Sequence, residues 1–230
     1  MTRFLALLLL FACPVAAAAA DRSVSVGSFE RVRIDGPFDV RLVTGSPGAK
    51  VSGDPHATEA VDIRVDGATL SVRRSTSRWG ERPEMGAQRP VIVTLSTPRL
   101  AFASVVAGGR LTIDRMKGMR LDLAVSGAGS LAVNDAQADQ LNATVIGTGR
   151  MTLAGRSARA RLTVSGPGLI DATALAVDDL VVMQDGVGET RASARRTAQV
   201  TNGGAGSVTV AGTAACTVRA AATGPVICGR

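Results

Sequence analysis

The sequence predicts an all-β fold, a β-solenoid wound in coils of about 20 residues, and three observations carry that expectation. Gly-x-Gly pairs stand at Gly127 and Gly129, Gly147 and Gly149, Gly166 and Gly168, Gly186 and Gly188, and Gly204 and Gly206, with first-glycine steps of 20, 19, 20 and 18 residues. Gly108-Gly109 extends the series backwards by 19 residues and Gly224 extends it forwards by 20. Each corner is flanked by short runs whose apolar residues lie two apart, such as Leu121, Leu123 and Val125 before it and Leu131 and Val133 after it. Period two indicates strand, no window offers helical spacing, and a fixed period of this length signals stacked supersecondary units.

The elements follow in chain order. MTR supplies a positive start, FLALLLLFA an apolar core and VAAAAAD a small-residue cleavage site, so residues 1–20 read as a secretory signal peptide with cleavage after Ala20. Leu10-Phe11-Ala12-Cys13 is the competing reading, a lipidation box on Cys13 that Phe11 and Pro14 fit poorly. Residues 21–100 lack the glycine pairs. They contain short strands around Gly36-Pro37, a pair meeting at Asp66-Gly67, the polar stretch 74–90, and a further strand in PVIVTLSTPRL. They are expected to form irregular opening coils that cover one edge of the stack, continuous with the regular repeats of 101–230. In the regular part, glycine recurs where every coil turns the same corner, through a positive φ or through contact with the next rung. An antiparallel β-sandwich is the alternative, but its turns need not resemble one another.

After Asp21 the chain has no run long and apolar enough for a membrane span. Its 26 basic against 19 acidic residues are scattered rather than striped, and in an exported protein this excludes nucleic acid as the expected partner. An envelope protein, or an anionic polysaccharide or lipid surface, fits better. Cys216 and Cys228 suit a disulfide in an oxidising compartment, contributing about 3 kcal/mol by chain entropy.

The segments SFERVRIDGPFDVRLVTG, VDIRVDGATLSV and PVIVTLSTPRL, followed by the corners SGAG, IGTG, SGPG, DGVG and GGAG, resemble the GIN-type head domain of the autotransporter adhesins, a domain of unknown function. The resemblance covers roughly residues 28–229 and implies a right-handed parallel β-helix-like solenoid in an exported or lipid-anchored bacterial envelope protein. It implies adhesion only through the family label and transfers no catalytic or ligand-binding residue. Asp185-Gly186-Val187-Gly188 and Thr223-Gly224-Pro225 depart from the usual Ser-Gly-x-Gly.

Chemistry is sparse. His56 is the only histidine and falls in the polar stretch GDPHATEA, read as a loop; there is no tyrosine, and neither cysteine has a second histidine to activate it. None of the first three glycine pairs has the third glycine or the helix that a dinucleotide fingerprint needs. Asp178, Asp179 and Asp185 are the candidates for a calcium-dependent polysaccharide enzyme, although adjacent strand residues point to opposite faces. The expected binding segment is arginine-rich: Arg73, Arg74, Arg78 and Arg82 surround Trp79, the only tryptophan. From Thr190 onward there are five arginines and no acid. The reading is a non-enzymatic, cofactor-free and metal-free surface module of the envelope. A β-helix enzyme and a periplasmic accessory protein binding a partner through an open strand edge are the alternatives.

Overall fold

The computed structural model describes residues 20–75, 91–221 and 223–229. Five long strands carry the fold: β9 (Arg110–Ser126), β10 (Ser130–Ile146), β11 (Arg150–Ser165), β12 (Leu169–Asp185) and β13 (Glu189–Asn202). Each is nearly a whole coil, and each pairs in parallel with the next. The architecture is therefore the expected β-solenoid, with about 6 turns of ~20 residues, rather than the antiparallel sandwich. Within a coil the buried positions fall in two groups, Leu111 and Ile113 on a first arm and Leu121, Leu123 and Val125 on a second, joined by a bend at which Met116 is buried.

Parallel register stacks like on like. One interior row runs Leu121, Leu141, Ala160, Leu180, Ala198 and another runs Leu123, Ala143, Leu162, Val182, Val200, all buried. Every leucine and valine in these rows is worth about 1.5–3 kcal/mol of burial, and none could be buried by a single coil. The 19-residue step from the β10 coil to the β11 coil is absorbed at the bend, where the register shifts between Val133 and Ala136. Gly155, opposite Ala136, has φ +120° there, and an added Cβ would collide with the Ala136 backbone.

The opening coils are more mixed than their sequence suggests. β2 (Arg31–Asp35) and β3 (Asp39–Thr44) flank the Gly36-Pro37 turn. β3 then pairs in parallel with β9, and β2 with β8 (Phe102–Val106), so both belong to the solenoid. β7 (Ile92–Thr97) adds in parallel to β3, whereas β4 (Gly48–Gly53) adds to β7 antiparallel and β1 (Ala20–Val24) to β4 antiparallel. β5 (Val61–Asp66) and β6 (Thr69–Arg74) form an antiparallel hairpin laid in parallel on β2. The segment holding His56, read as a loop, is a short helix, α1 (Pro55–Glu59), which contacts β1, β4 and β5. Asp54 accounts for the difference: its backbone carbonyl accepts the Thr58 N–H at 2.8 Å and its side chain faces the Ala57 N–H, an N-cap arrangement.

At the other end two interior rows take in polar residues. The row Val125, Val145, Val164 continues as Gln184 and Asn202, and the row Leu111, Leu131, Met151, Ile170 passes through Thr190 before returning to Val208. The buried Thr190 hydroxyl donates to Gln184 Oε1 at 2.7 Å, and Asn202 Nδ2 donates to the carbonyls of Gly206 and Gly224 at 2.9 and 3.2 Å. Asn202 thereby fastens the two last, atypical corners to the stack. Beyond it β14 (Ser207–Ala211) and β15 (Ala215–Ala220) stack on β13 as one more coil, and β16 (Val226–Cys228), stacked on β14, begins a further, partial one. Cys216 lies above Ala198 and Cys228 above Val210, and a disulfide joins them with Cα atoms 6.3 Å apart. It ties the second arm of the last complete coil to the partial coil that follows it.

The interior rows predict a sharp contrast between two glycines. A Cβ at Gly168 would lie 2.5 Å from Val145 Cγ1 and 2.9 Å from the Gly147 carbonyl, whereas one at Gly118 meets nothing nearer than Leu121 Cδ2 at 3.5 Å. Gly168→Ala is expected to lose about 3 kcal/mol in denaturant unfolding, and Gly118→Ala to change stability by less than about 0.5 kcal/mol.

Candidate binding groove along the glycine corners

The two glycines of each pair serve different needs. The first takes a left-handed turn: φ is +90° at Gly127, +101° at Gly147, +99° at Gly166 and +112° at Gly186, a region that costs other residues about 1–2 kcal/mol. The second, as at Gly149, Gly168 and Gly188, lies so close to the preceding corner that a Cβ would strike its backbone carbonyls. Gly204 and Gly206 are both of this contact kind, against the backbones of Gly186 and Gly188. The residue after each corner then bonds back one rung: Ser130 N–H donates to Gly109 O at 2.8 Å, and Arg150 and Leu169 N–H donate to Gly129 O and Gly149 O at 3.0 Å each.

Stacked corners without side chains make a trough. On one side stand the exposed middle residues Ala128, Thr148, Pro167 and Val187. On the other runs the outward row Asp39, Arg110, Ser130, Arg150, Leu169, Glu189, Ser207, one residue per rung. Six steps of 4.8 Å make this row about 29 Å long. The trough holds two cavities of about 760 and 390 Å³ that share Thr148 and Arg150. Its first half, from Pro37 to Thr152, sets the hydroxyls of Thr112, Ser130, Thr148 and Thr152 and the cations Arg110 and Arg150 among apolar residues such as Phe38 and Ala132, with Asp39 at one end. Its second half is lined by Leu169, Val187 and Glu189.

The charges in and beside it are unevenly committed. Glu189 accepts from Arg191 Nε at 2.7 Å. Asp171, beside Thr152 in the next outward row, is held below the usual carboxylate range by the Thr173 hydroxyl and then the Thr173 N–H, against a burial penalty, with Arg191 and Arg150 adding favourable charge. Arg110 and Arg150 are exposed, and neither forms an ion pair among the described residues. On the second arm, burial alone would raise Asp122, but hydrogen bonds from Arg120 and Asn142 and the charges of Arg120 and Arg31 lower it.

The residues singled out in the sequence are dispersed. Arg73 and Arg74 end β6 on the exposed surface, with Arg73 in register with Asp35 and Asp62. Arg78, Trp79 and Arg82 lie outside the described residues, as does Cys13. Asp179 accepts from Arg196 at 2.6 Å and from the Thr197 hydroxyl at 2.8 Å, Asp178 lines a separate cavity at the coil bends, and Asp185 precedes the Gly186 corner; the three do not converge. Arg110 and Arg150 were not among the sequence candidates. Their signal was positional: each directly follows the second glycine of its corner, in GGR and GTGR.

The family described as "Putative auto-transporter adhesin, head GIN domain" matches residues 28–214. The chain belongs to that family. A search of curated proteins gave no match. Solved structures similar to this GIN-domain chain include a putative adhesin from Bacteroides fragilis, with TM-score 0.80, 18% identity, and coverage of 94% of this chain and 98% of that one. A putative adhesin from Parabacteroides merdae gives TM-score 0.71 at 18% identity over 91% and 95% of the two chains. A putative lipid binding protein from Parabacteroides distasonis gives TM-score 0.71 at 16% identity over 91% and 96%. At these identities the likeness is one of fold, and it spans the chain almost from end to end.

The lowered Asp171 sets a pH dependence. A carboxylate with a depressed folded pKa contributes stability that is complete above its unfolded value, about 4, and is lost as the pH falls through the folded value. Asp171→Asn should be less stable than the parent at pH 7 and lose less of its remaining stability between pH 5 and pH 2, read as thermal midpoints across that range.

Proposed function

We propose that this GIN-domain chain is an exported, non-catalytic display module of the bacterial envelope, adhesin-like in acting through its surface. One observation carries the reading: the outer faces are continuous ladders along which charged groups are dispersed, with several carboxylates taken up by neighbouring arginines, Asp135 by Arg115, Asp122 by Arg120 and Asp179 by Arg196. A rod of this kind presents regularly spaced groups to an extended partner instead of gathering an acid and a base about one bond. Its partners would be an envelope protein or an anionic polysaccharide or lipid surface, and the arginine-rich segment 74–90 would be one contact. The family description supports the adhesin-like part, and the apolar first 20 residues support export.

A second reading, a periplasmic accessory protein that pairs with another chain, is favoured by the C-terminal end. Among the described residues β15 pairs only with β13 and β16 only with β14, and Val218 and Ile227 are 44% and 61% exposed. An added strand would continue such a ladder.

One experiment separates these. Mass spectrometry of the N-terminus in cell fractions should find a chain beginning at Asp21 outside the cytoplasm, and pull-downs from envelope extract should weaken several-fold when residues 74–90 are deleted. A chain retaining residues 1–20 in the cytoplasm would refute export. Binding lost in Val218→Pro but kept in the deletion would favour the second reading.

A further inference from the structure

We infer that the cationic half of the corner groove is a binding site for a linear acidic polysaccharide, with uronate carboxylates seated on Arg110 and Arg150. The inference rests on the display reading and names its ligand. Arg110, Ser130 and Arg150 occupy successive rungs of one outward row, which puts the two guanidinium-bearing positions about 9.6 Å apart along the axis with a hydroxyl between them. Guanidinium groups match carboxylates with paired donors, and these two have no ion-pair partner among the described residues. Beside them on the same two rungs Thr112 and Thr152, with Thr148 at the corner before Arg150, supply hydroxyls of the kind that exchange hydrogen bonds with a polyol.

The shape selects a chain over a surface. The groove is straight because the rungs are in register, and it is open because Gly109 and Gly129 present no side chain on its floor. Its cations stand beside a raised edge at Ala128 and Thr148, so a single extended polymer reaches them more readily than a flat layer of headgroups. The site also has a boundary at each end. Asp39, in register with Arg110, repels a carboxylate at one end, and Leu169 replaces the cation on the rung after Arg150.

The test uses the mature chain from Asp21 and a fluorescein-labelled polygalacturonate oligomer, with the methyl-esterified oligomer as the uncharged control. Binding measured by anisotropy is expected to weaken at least tenfold on esterification, to weaken at least tenfold in Arg110→Gln/Arg150→Gln, and to fall with added salt. Arg159→Gln, an exposed arginine at the coil bend, should bind as the parent does, and Asp39→Asn should bind more tightly. Circular dichroism and thermal midpoints would confirm that each variant keeps its fold. No binding by the parent, equal binding of the ester, or an unchanged double variant would each overturn the proposal, as would tighter binding to phosphatidylglycerol vesicles through the same two arginines. Purified protein makes the result independent of export: a cytoplasmic chain that still binds through Arg110 and Arg150 sinks only the display reading, and an exported chain that binds envelope extract regardless of them sinks only this one.

Discussion

Backbone laid on backbone at the corners is the contact from which the remainder of this structure follows. Where the Gly168 position meets the carbonyls of Gly147 and Gly149, there is no room for even one methyl group. Only if every coil leaves that space empty can the next come within ladder distance and form bonds such as Leu169 N–H to Gly149 O. Once the corners are seated, the strand registers are set, because a one-residue slip would turn every interior aliphatic outward. The rows of leucine, valine and alanine are thus consequences of the corner as much as causes of the fold. The same bareness that permits stacking leaves the external trough, so the architectural and functional arguments share one origin.

A solenoid must also stop, and the two ends do so by different means. At the start, antiparallel strands and α1 replace the repeat; Thr58 on α1 is buried and Arg22 on β1 donates to its carbonyl at 3.2 Å. At the finish, two interior rows take in Gln184, Thr190 and Asn202 among the still apolar Ala198, Val200, Val208 and Val210. Burying these groups is tolerable only because they bond to one another and to corner carbonyls. Gln184 Nε2 is the exception, a buried donor without a hydrogen-bond partner among the described residues. These buried polar groups make the last rungs a poorer seat for further coils, and the Cys216–Cys228 bond restrains the final strands where packing from above ends.

The repeat was legible in the sequence because its causes are local: a glycine pair, a two-residue alternation and a period. The hairpin at Asp66-Gly67 was legible for the same reason, its strands being joined by the turn that defines them. What could not be read was pairing between distant segments. β4 and β7 lie antiparallel with Gly48 opposite Ser96, and nothing in either segment names the other. The short helix at Pro55 was hidden by its polar composition, since one turn shows no periodicity. The groove was half visible. Its glycines stood out as architecture, whereas Arg110 and Arg150 became a pair only when stacking placed residues 40 apart in sequence two rungs apart in space. The arginines around Trp79 cluster in sequence, a weaker guide in a fold that spaces neighbours along a coil and brings together residues one period apart.

Paired spin labels along one outward row test the stacking most directly. Thr112, Asp171, Arg191 and Thr209 lie in a single in-register line, separated by three, one and one rungs. With labels on cysteines replacing Thr112 and each of the others in turn, pulsed electron–electron resonance should give mean separations rising by about 4.8 Å per rung, to about 24 Å for Thr112 and Thr209. Separations that fail to grow with the number of intervening coils, or a Thr112–Thr209 distance shorter than that from Thr112 to Asp171, would contradict in-register stacking and with it the groove.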